Sequence, residues 1–204
     1  MDLKSYAGIM LYGIGPNKKT ISVLDRDLGK IDLLIKTGKR QSPSIRGGLM
    51  RYNLSKWHNI YIASDQELLA APMELAGEDI LFLHHVLELC HNFLPVNQPA
   101  REIFDLLLLL YTCPDTLKNC FIKKIFLAKF FNLVGIAHEN INSYSSSFYF
   151  LISSPIDIML DRECDEKIHG ELTRWLLDCI IIHPRASQFN TIFFLKNMDR
   201  YEKK

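Results

Sequence analysis

The pattern of apolar residues changes near residue 70, and this change constrains the fold of the 204-residue chain more than any other feature. Before it, short apolar-rich runs alternate with turn residues, a pattern typical of β-strands. The runs are Ser5–Tyr12, Thr20–Asp25, Lys30–Thr37, Leu49–Ser55 and Asn59–Glu67. Asp27-Leu28-Gly29 fits a tight hairpin, because glycine readily adopts a positive φ. Five strands in about 65 residues predict an OB-like β-barrel.

After Pro72 the apolar residues recur at helical spacing. The predicted helices are Met73–Phe93, Pro99–Tyr111, Asp115–Val134, Asp165–Ile182 and Ser187–Asp199. Asp115 and Ser187 are the expected N-caps, and Gly135 is expected just past the end of the third helix. The serine-rich segment Asn140–Ser154 predicts a loop, with a short strand or a helical turn at Phe148–Ile152. The fold class is therefore α+β, with a five-stranded OB-like barrel in residues 1–72 and an all-helical domain in residues 73–204.

The third helix carries a broad apolar stripe, and its basic residues are expected mostly on the opposite side. They are Lys118, Lys123, Lys124 and Lys129. The chain also has five cysteines without short paired spacing, which argues against a disulfide framework and favours buried free thiols.

Neither a secretory signal nor a membrane span is visible. The longest strongly apolar stretch, Ile103–Tyr111, contains Asp105 and falls well short of the roughly 20 residues of a membrane span. The sequence therefore predicts a cytoplasmic protein with no membrane partner.

Charge is unevenly distributed, although the net charge of the chain is only +1. Residues 1–75 hold 11 basic and 7 acidic side chains, whereas residues 76–204 hold 13 and 16. In the stretch from residue 30 to residue 56, Asp32 is the one acidic residue. The basic residues there are Lys30, Lys36, Lys39, Arg40, Arg46, Arg51 and Lys56. Basic side chains among glycines and serines suit contacts with phosphate, so this stretch is the predicted nucleic-acid-binding site.

Three aromatic residues lie beside the basic stretch, and each could stack on an unpaired base: Tyr52, Trp57 and Tyr61. Trp57 is included in the predicted nucleic-acid site, although on its own it fits the barrel core better than a base platform. The alternative for the whole stretch is a solvated loop beside ordinary strand aromatics.

Residues that would indicate catalysis or a cofactor are lacking. The chain has no phosphate-binding loop of the GxxxxGK[ST] type, no GxSxG and no HExxH. His84, His85 and His91 accompany Cys90, but His84 and His91 are two helical turns apart, so partly exposed helix histidines are expected rather than a metal site. The prediction is a non-enzyme without a metal or cofactor.

Several short elements occur together in this chain. Gly8 precedes the apolar Ile9-Met10-Leu11, a hairpin ends at Gly29-Lys30-Ile31, and a strand ends at Gln66-Glu67-Leu68. The basic loop contains Lys36-Thr37-Gly38-Lys39-Arg40 and closes in Arg46-Gly47-Gly48-Leu49, and Phe126–Gly135 is an apolar helix ending in glycine. In this combination the chain resembles the RecO recombination-mediator proteins of bacteria.

The resemblance implies an N-terminal OB fold followed by a helical domain. It also implies binding to single- and double-stranded DNA, strand annealing, and cooperation with RecR and the single-strand DNA-binding protein in loading the recombinase during DNA repair at the nucleoid. Many RecO proteins carry a four-cysteine zinc module, but Asn140–Glu166 holds only Cys164, so no zinc site is expected. The alternative function is a protein-interaction adaptor whose barrel has lost nucleic-acid binding.

Overall fold

The computed structural model describes residues 5–14, 20–35, 45–72, 78–112, 119–136, 145–154 and 166–201. The described residues form the strands β1 (Ser5–Ile14), β2 (Thr20–Asp25), β3 (Gly29–Ile35), β4 (Leu49–Trp57) and β5 (Ile60–Ala70). They also form the helices α1 (Glu78–Phe93), α2 (Arg101–Thr112), α3 (Cys120–Val134), α4 (Ser146–Ser153), α5 (Glu166–Ile181) and α6 (Asn190–Tyr201). The predicted order of a five-stranded barrel followed by helices is confirmed.

The five strands close into a barrel in the order β1-β2-β3-β5-β4. The pair β3–β5 is parallel and the other four pairs are antiparallel. This is an OB-like barrel, a type in which oligonucleotides and oligosaccharides bind to the outer face and to the loops between strands. The interior is filled by alternate residues of every strand, namely Met10, Ile21, Val23, Ile31, Leu33, Met50, Tyr52 and Ala63.

The turn between β2 and β3 is built by Asp25 and Gly29, which confirms the predicted hairpin. Asp25 Oδ1 accepts hydrogen bonds of 2.9 Å from the backbone N–H groups of Asp27 and Leu28. Gly29 has a φ of +77°, and a Cβ there would lie 1.6 Å from the carbonyl oxygen of Gln98. Glycine is therefore required at this position by both conformation and space.

The other carboxylate oxygen of Asp25 is bound across the barrel interior. Tyr52 Oη donates a hydrogen bond of 2.5 Å to Asp25 Oδ2, and both side chains are buried. Burial, and then the neighbouring carboxylate, raise the pKa of the Tyr52 phenol, so it stays a donor. Gly8 allows the approach, since a Cβ on it would come within 2.8 Å of Tyr52 Oη.

The chain forms two compact units, Met1–Tyr111 and Thr112–Lys204. The sequence-based boundary at residue 72 followed the change in secondary structure, whereas compactness groups α1 and α2 with the barrel. α1 packs against β1, whose Ile9 and Leu11 lie outside the interior cluster and are nevertheless fully buried. Tyr111 of α2 donates a hydrogen bond of 2.5 Å to the carbonyl oxygen of Gly47.

The β2–β3 turn is also attached to the segment that follows α1. The backbone N–H of Asn97 donates to the carbonyl oxygen of Lys30 at 2.8 Å, and Arg101 forms a 2.7 Å ion pair with Asp27. The turn end of the β2–β3 hairpin is therefore covered by residues of the same chain.

α3 is the central helix of the second unit, because every residue from Cys120 to Phe131 is buried. Its N-cap is Asn119, whose Oδ1 accepts a 2.7 Å hydrogen bond from the N–H of Phe121, and Gly135 follows the helix with the predicted positive φ. Asp115, the predicted N-cap, lies outside the described residues.

The expectation that the lysines of this helix face solvent is wrong for Lys123, Lys124 and Lys129, all of which are buried. α3 packs against both α4 and α5, and its residues up to Phe131 have no solvent side. Lys129 Nζ donates to the carbonyl oxygens of Leu151, Ile152 and Ser154 at the end of α4, and Lys124 Nζ lies 3.2 Å from His169 Nδ1. Lys118 lies outside the described residues.

The remaining helices refine two further predictions. Within Asn140–Ser154 the described part is the helix α4, capped by Ser145, and not a strand. The last helix begins at Asn190, while Ser187 belongs to a short 3-10 turn at Ala186–Gln188. Across the part of the chain that the structure describes, no helix has the length and apolarity needed to cross a membrane.

Replacing Tyr52 with phenylalanine tests the buried hydrogen bond. Y52F leaves one oxygen of the buried Asp25 carboxylate without its donor, so we expect a loss of about 1–3 kcal/mol in the free energy of unfolding. Chemical denaturation followed by circular dichroism measures it. Y12F, at an exposed tyrosine, is the matched control and should change stability by less than about 0.5 kcal/mol. Equal stability of Y52F and the wild type would contradict the role given to this bond.

Candidate nucleic-acid interface

The outer surface of β3, β5 and β4 carries a group of side chains that we call the open face. Asp32, Leu34, Ile60 and Trp57 are exposed, and Ile62 is half-buried. The strand alternation places them outside, because their neighbours Ile31, Leu33 and Ala63 belong to the interior cluster. Leu34 is 38% exposed and Ile60 is 47% exposed, which is unusual for large apolar residues on a closed barrel. The open face is thus an apolar surface with one carboxylate.

The strand register brings these residues side by side. Leu34 is paired with Ile62 across the parallel β3–β5 ladder, and Ile60 is paired with Trp57 in the β4–β5 hairpin. Because Leu33 is paired with Tyr61, the preceding residues Asp32 and Ile60 are neighbours on the outside. Neither Leu34 nor Ile60 was predicted as a site residue from the sequence, although the alternation of each strand shows on which side of the sheet it lies.

Trp57 lies at the end of β4 and is 64% exposed. The expectation that it fits the barrel core better than a base platform is wrong. Leu54 packs against the interior cluster, so the alternation turns Ser55 and Trp57 outward. The two-residue turn that follows places His58 at a φ of +51°, with its ring centroid 5.0 Å from that of Trp57.

Lys56 precedes Trp57 on β4, and the strand alternation turns its side chain to the other side of the strand, towards Tyr61. Its Nζ lies 5.1 Å from the centroid of the Tyr61 ring, a cation–π contact, and the side chain is exposed. Tyr61 itself packs against the barrel interior, so it positions the ammonium group and does not offer a free ring.

Arg46 is held at the junction of β1, α1 and the end of the basic loop. Its guanidinium carbon lies 5.9 Å from the centroid of the Tyr12 ring, and its Nη2 donates to the carbonyl oxygen of His84 at 3.4 Å. Among the described residues no carboxylate forms an ion pair with Arg46. Burial, together with the positive charge of Arg46, lowers the pKa of His84. Arg46 therefore keeps its positive charge available at a half-buried position.

Two other residues of the predicted nucleic-acid site have charged groups that are bonded within the protein. Lys30 is buried, and its Nζ donates a 2.7 Å hydrogen bond to the carbonyl oxygen of His91 at the end of α1. Burial lowers the pKa of Lys30. Arg51 is exposed but forms a 3.2 Å ion pair with Glu67 on the neighbouring strand.

The structure thus leaves Lys56 and Trp57 exposed at the end of β4, on opposite sides of the strand, and places Arg46, Arg51 and Lys30 elsewhere on the barrel. Lys36, Lys39 and Arg40 lie outside the described residues. Tyr52, named as a stacking residue, is instead buried in the interior and bonded to Asp25, so that expectation is wrong.

Groups suited to catalysis are not assembled in the described part of the chain. There, no three residues of the types His, Cys, Asp and Glu lie close enough to hold a metal ion. The thiols of Cys90, Cys120 and Cys179 are buried, and burial raises the pKa of Cys179 to about 12. Burial shields these thiols from reagents.

Comparison with known proteins adds no assignment: no protein-family model matches the chain, and no curated protein is significantly similar to it.

The two tryptophans give a direct test of the open face. Trp57 is 64% exposed and Trp175, in the core of the second unit, is 2% exposed. Iodide should quench the fluorescence of the wild type partially, and W57F should lose nearly all of the quenchable emission. W175F should keep only quenchable emission. Strong quenching in W57F would contradict the placement of Trp57.

Proposed function

We propose that the chain binds single-stranded DNA through its OB-like barrel and acts as a recombination mediator in DNA repair. The observation that carries the proposal is the exposed Trp57, which lies on the open face at the turn that joins β4 to β5. In OB folds, oligonucleotides bind to the face of strands 2 and 3 and to the β1–β2 and β4–β5 loops, and Trp57 lies at the β4–β5 turn.

Stacking is the interaction that the open face can offer. An exposed indole with apolar neighbours is costly in water, and a base stacked on it removes apolar surface from both partners. Base–aromatic stacking contributes about 1–3 kcal/mol per base, and it requires bases that are not paired in a duplex. This favours single strands over double strands at Trp57.

Phosphate contacts supply the second part of the affinity. Lys56 precedes Trp57 in the chain, and Lys36, Lys39 and Arg40 belong to the basic stretch that follows β3, which Arg46 closes near Tyr12 and α1. Each neutralised phosphate releases counterions, so binding through these residues weakens as salt is added. Lys30 and Arg51 are left out of the proposed interface because their charged groups are already bonded within the protein.

The resemblance to the RecO proteins is the reason why the proposal names recombination mediation in DNA repair as the process. Annealing of strands, and loading of the recombinase together with RecR and the single-strand DNA-binding protein, require a protein that holds unpaired DNA. A stacking surface with adjacent basic side chains suits that step. The proposed place of action is the nucleoid.

A protein-interaction adaptor is the second candidate, and exposed apolar residues of the second unit favour it. Phe193 on α6 is 70% exposed, and Ile181 and Ile182 at the end of α5 are also exposed. If the barrel bound no oligonucleotide at low salt while the chain captured a protein partner, the adaptor would replace the DNA-binding proposal.

Charge reversal tests the phosphate contacts. The triple variant K39E/R40E/R46E should remove most of the affinity for a single-stranded oligonucleotide and flatten the dependence of log Kd on log salt, since fewer phosphates are neutralised. Fluorescence anisotropy at two or more salt concentrations measures both. R174E/R185E/K196E makes the same change in net charge on exposed residues of the second unit. If both triple variants lose affinity equally, the loop is not the contact.

Removal of the indole tests the stacking contact separately. W57A should weaken single-strand binding roughly 5- to 150-fold, the equivalent of one lost base stack. The salt dependence should stay as in the wild type, because no phosphate contact is removed. F193A, at an exposed aromatic residue of the second unit, is the control. Unchanged affinity in W57A would refute Trp57 as the binding platform.

A further inference from the structure

Asp32 is out of place on a surface that binds polyanions. It is the only acidic residue in the stretch from residue 30 to residue 56, and it is exposed on the open face. A carboxylate there repels the phosphate backbone, and it lowers affinity unless it makes a favourable contact of its own. The position of Asp32 therefore calls for a partner that is not a phosphate.

The carboxylate of Asp32 forms no hydrogen bond and no ion pair with the described residues. The basic residue nearest to it in sequence, Lys30, donates to the carbonyl oxygen of His91 instead. The cross-strand neighbour, Ser22, is buried, and its Oγ has no hydrogen-bond partner within the residues described. Within the described residues Asp32 interacts electrostatically with Lys30, and its carboxylate oxygens accept no hydrogen bond there.

The register places Asp32 in one row with the stacking residue. Ile60 lies between Asp32 and Trp57 across two strand spacings, so their backbones are about 10 Å apart. Leu34 lies two residues further along β3 on the same side and is itself exposed. A base next to one stacked on Trp57 would have its edge over Ile60 and its polar groups within reach of the carboxylate.

We propose that Asp32 is a specificity-determining residue of the open face, and that its carboxylate accepts hydrogen bonds from the Watson–Crick edge of an unpaired guanine. This inference rests on the proposed single-strand binding. An ionised carboxylate only accepts hydrogen bonds. Guanine presents two adjacent donors, N1–H and the 2-amino group, which match the two carboxylate oxygens. Cytosine and adenine present one amino group, and thymine presents a single N–H between two carbonyl oxygens that repel the carboxylate.

The ranking follows from this count of donors and acceptors. Guanine binds most tightly at the Asp32 position, cytosine and adenine bind less tightly, and thymine binds least. The negative charge of Asp32 then increases specificity and lowers general affinity. Asp32 repels the phosphates of every strand, and only a strand with guanine at this position gains hydrogen bonds in return.

The experiment uses fluorescein-labelled thymidine nonamers in which the three central positions are thymine, cytosine, guanine or hypoxanthine, which lacks the 2-amino group. Anisotropy titrations of the whole chain at low salt give the Kd for each. The wild type should bind the guanine nonamer at least about fivefold more tightly than all-thymine, the lower end expected of a bidentate contact. Hypoxanthine should lose most of that preference.

The amide variant D32N keeps the shape of the side chain but adds donors, so the preference for guanine over thymine should fall towards one. D32A should do the same, which separates loss of the contact from any new one made by the amide. E102Q makes the same acid-to-amide change at an exposed position of α2 and should keep the wild-type ratio. Circular dichroism and denaturation confirm that each variant is folded.

Three results would overturn the inference. If D32N tightens all four nonamers by one factor, Asp32 acts only through repulsion of phosphate. If the wild type binds all four equally but W57A still weakens them, base selection fails and the proposed single-strand binding stands. If the wild type binds none of them at low salt, both proposals fail together.

Discussion

The barrel depends on a single buried carboxylate. Asp25 ends β2, and its two oxygens accept hydrogen bonds from the N–H groups of Asp27 and Leu28 and from the phenol of Tyr52. A buried carboxylate is costly unless its oxygens are bonded, and here three donors satisfy it. Tyr52 lies on β4, which is not a neighbour of β2 in the barrel, so the bond joins the two across the interior. It thereby helps to hold the register on which every outward-facing residue depends, since a slip of one residue exchanges the two sides of a strand.

The basic residues show how little a count of charges says about a surface. Lys30 is bonded to the end of α1 and Lys129 to the end of α4, so each satisfies backbone carbonyl groups inside its own unit. Lys56 and Arg46 instead lie against aromatic rings, which hold a cation without neutralising it. Cations of this second kind keep the positive potential that a polyanion needs.

Much of the barrel was predictable from the sequence because strands and turns are local signals. Alternation gave all five strands, and Asp27-Leu28-Gly29 gave the hairpin whose glycine has the expected positive φ. The side on which Trp57 lies was not predicted, since a large aromatic residue at a strand end suits either side until the register is known. The buried lysines of α3 were missed for a related reason. Helical periodicity assumes a solvent side, and the residues of α3 up to Phe131 have none because α4 and α5 both pack against the helix.

The packing of α1 and α2 covers one side of the barrel and leaves the other side exposed. Ile9 and Leu11 of β1 are shielded, as are Ser22 and Leu24 of β2, whereas β3, β5 and β4 carry the exposed side chains. A linear ligand that crosses the strands from β3 to β4 finds only two strand spacings, or roughly 10 Å. If the barrel binds single strands as proposed, the footprint of one molecule is short, near the lower end of the range of about 4–16 nucleotides covered by one OB fold. Long stretches of polymer would be coated by many copies in succession, and the density of that coat would follow protein concentration.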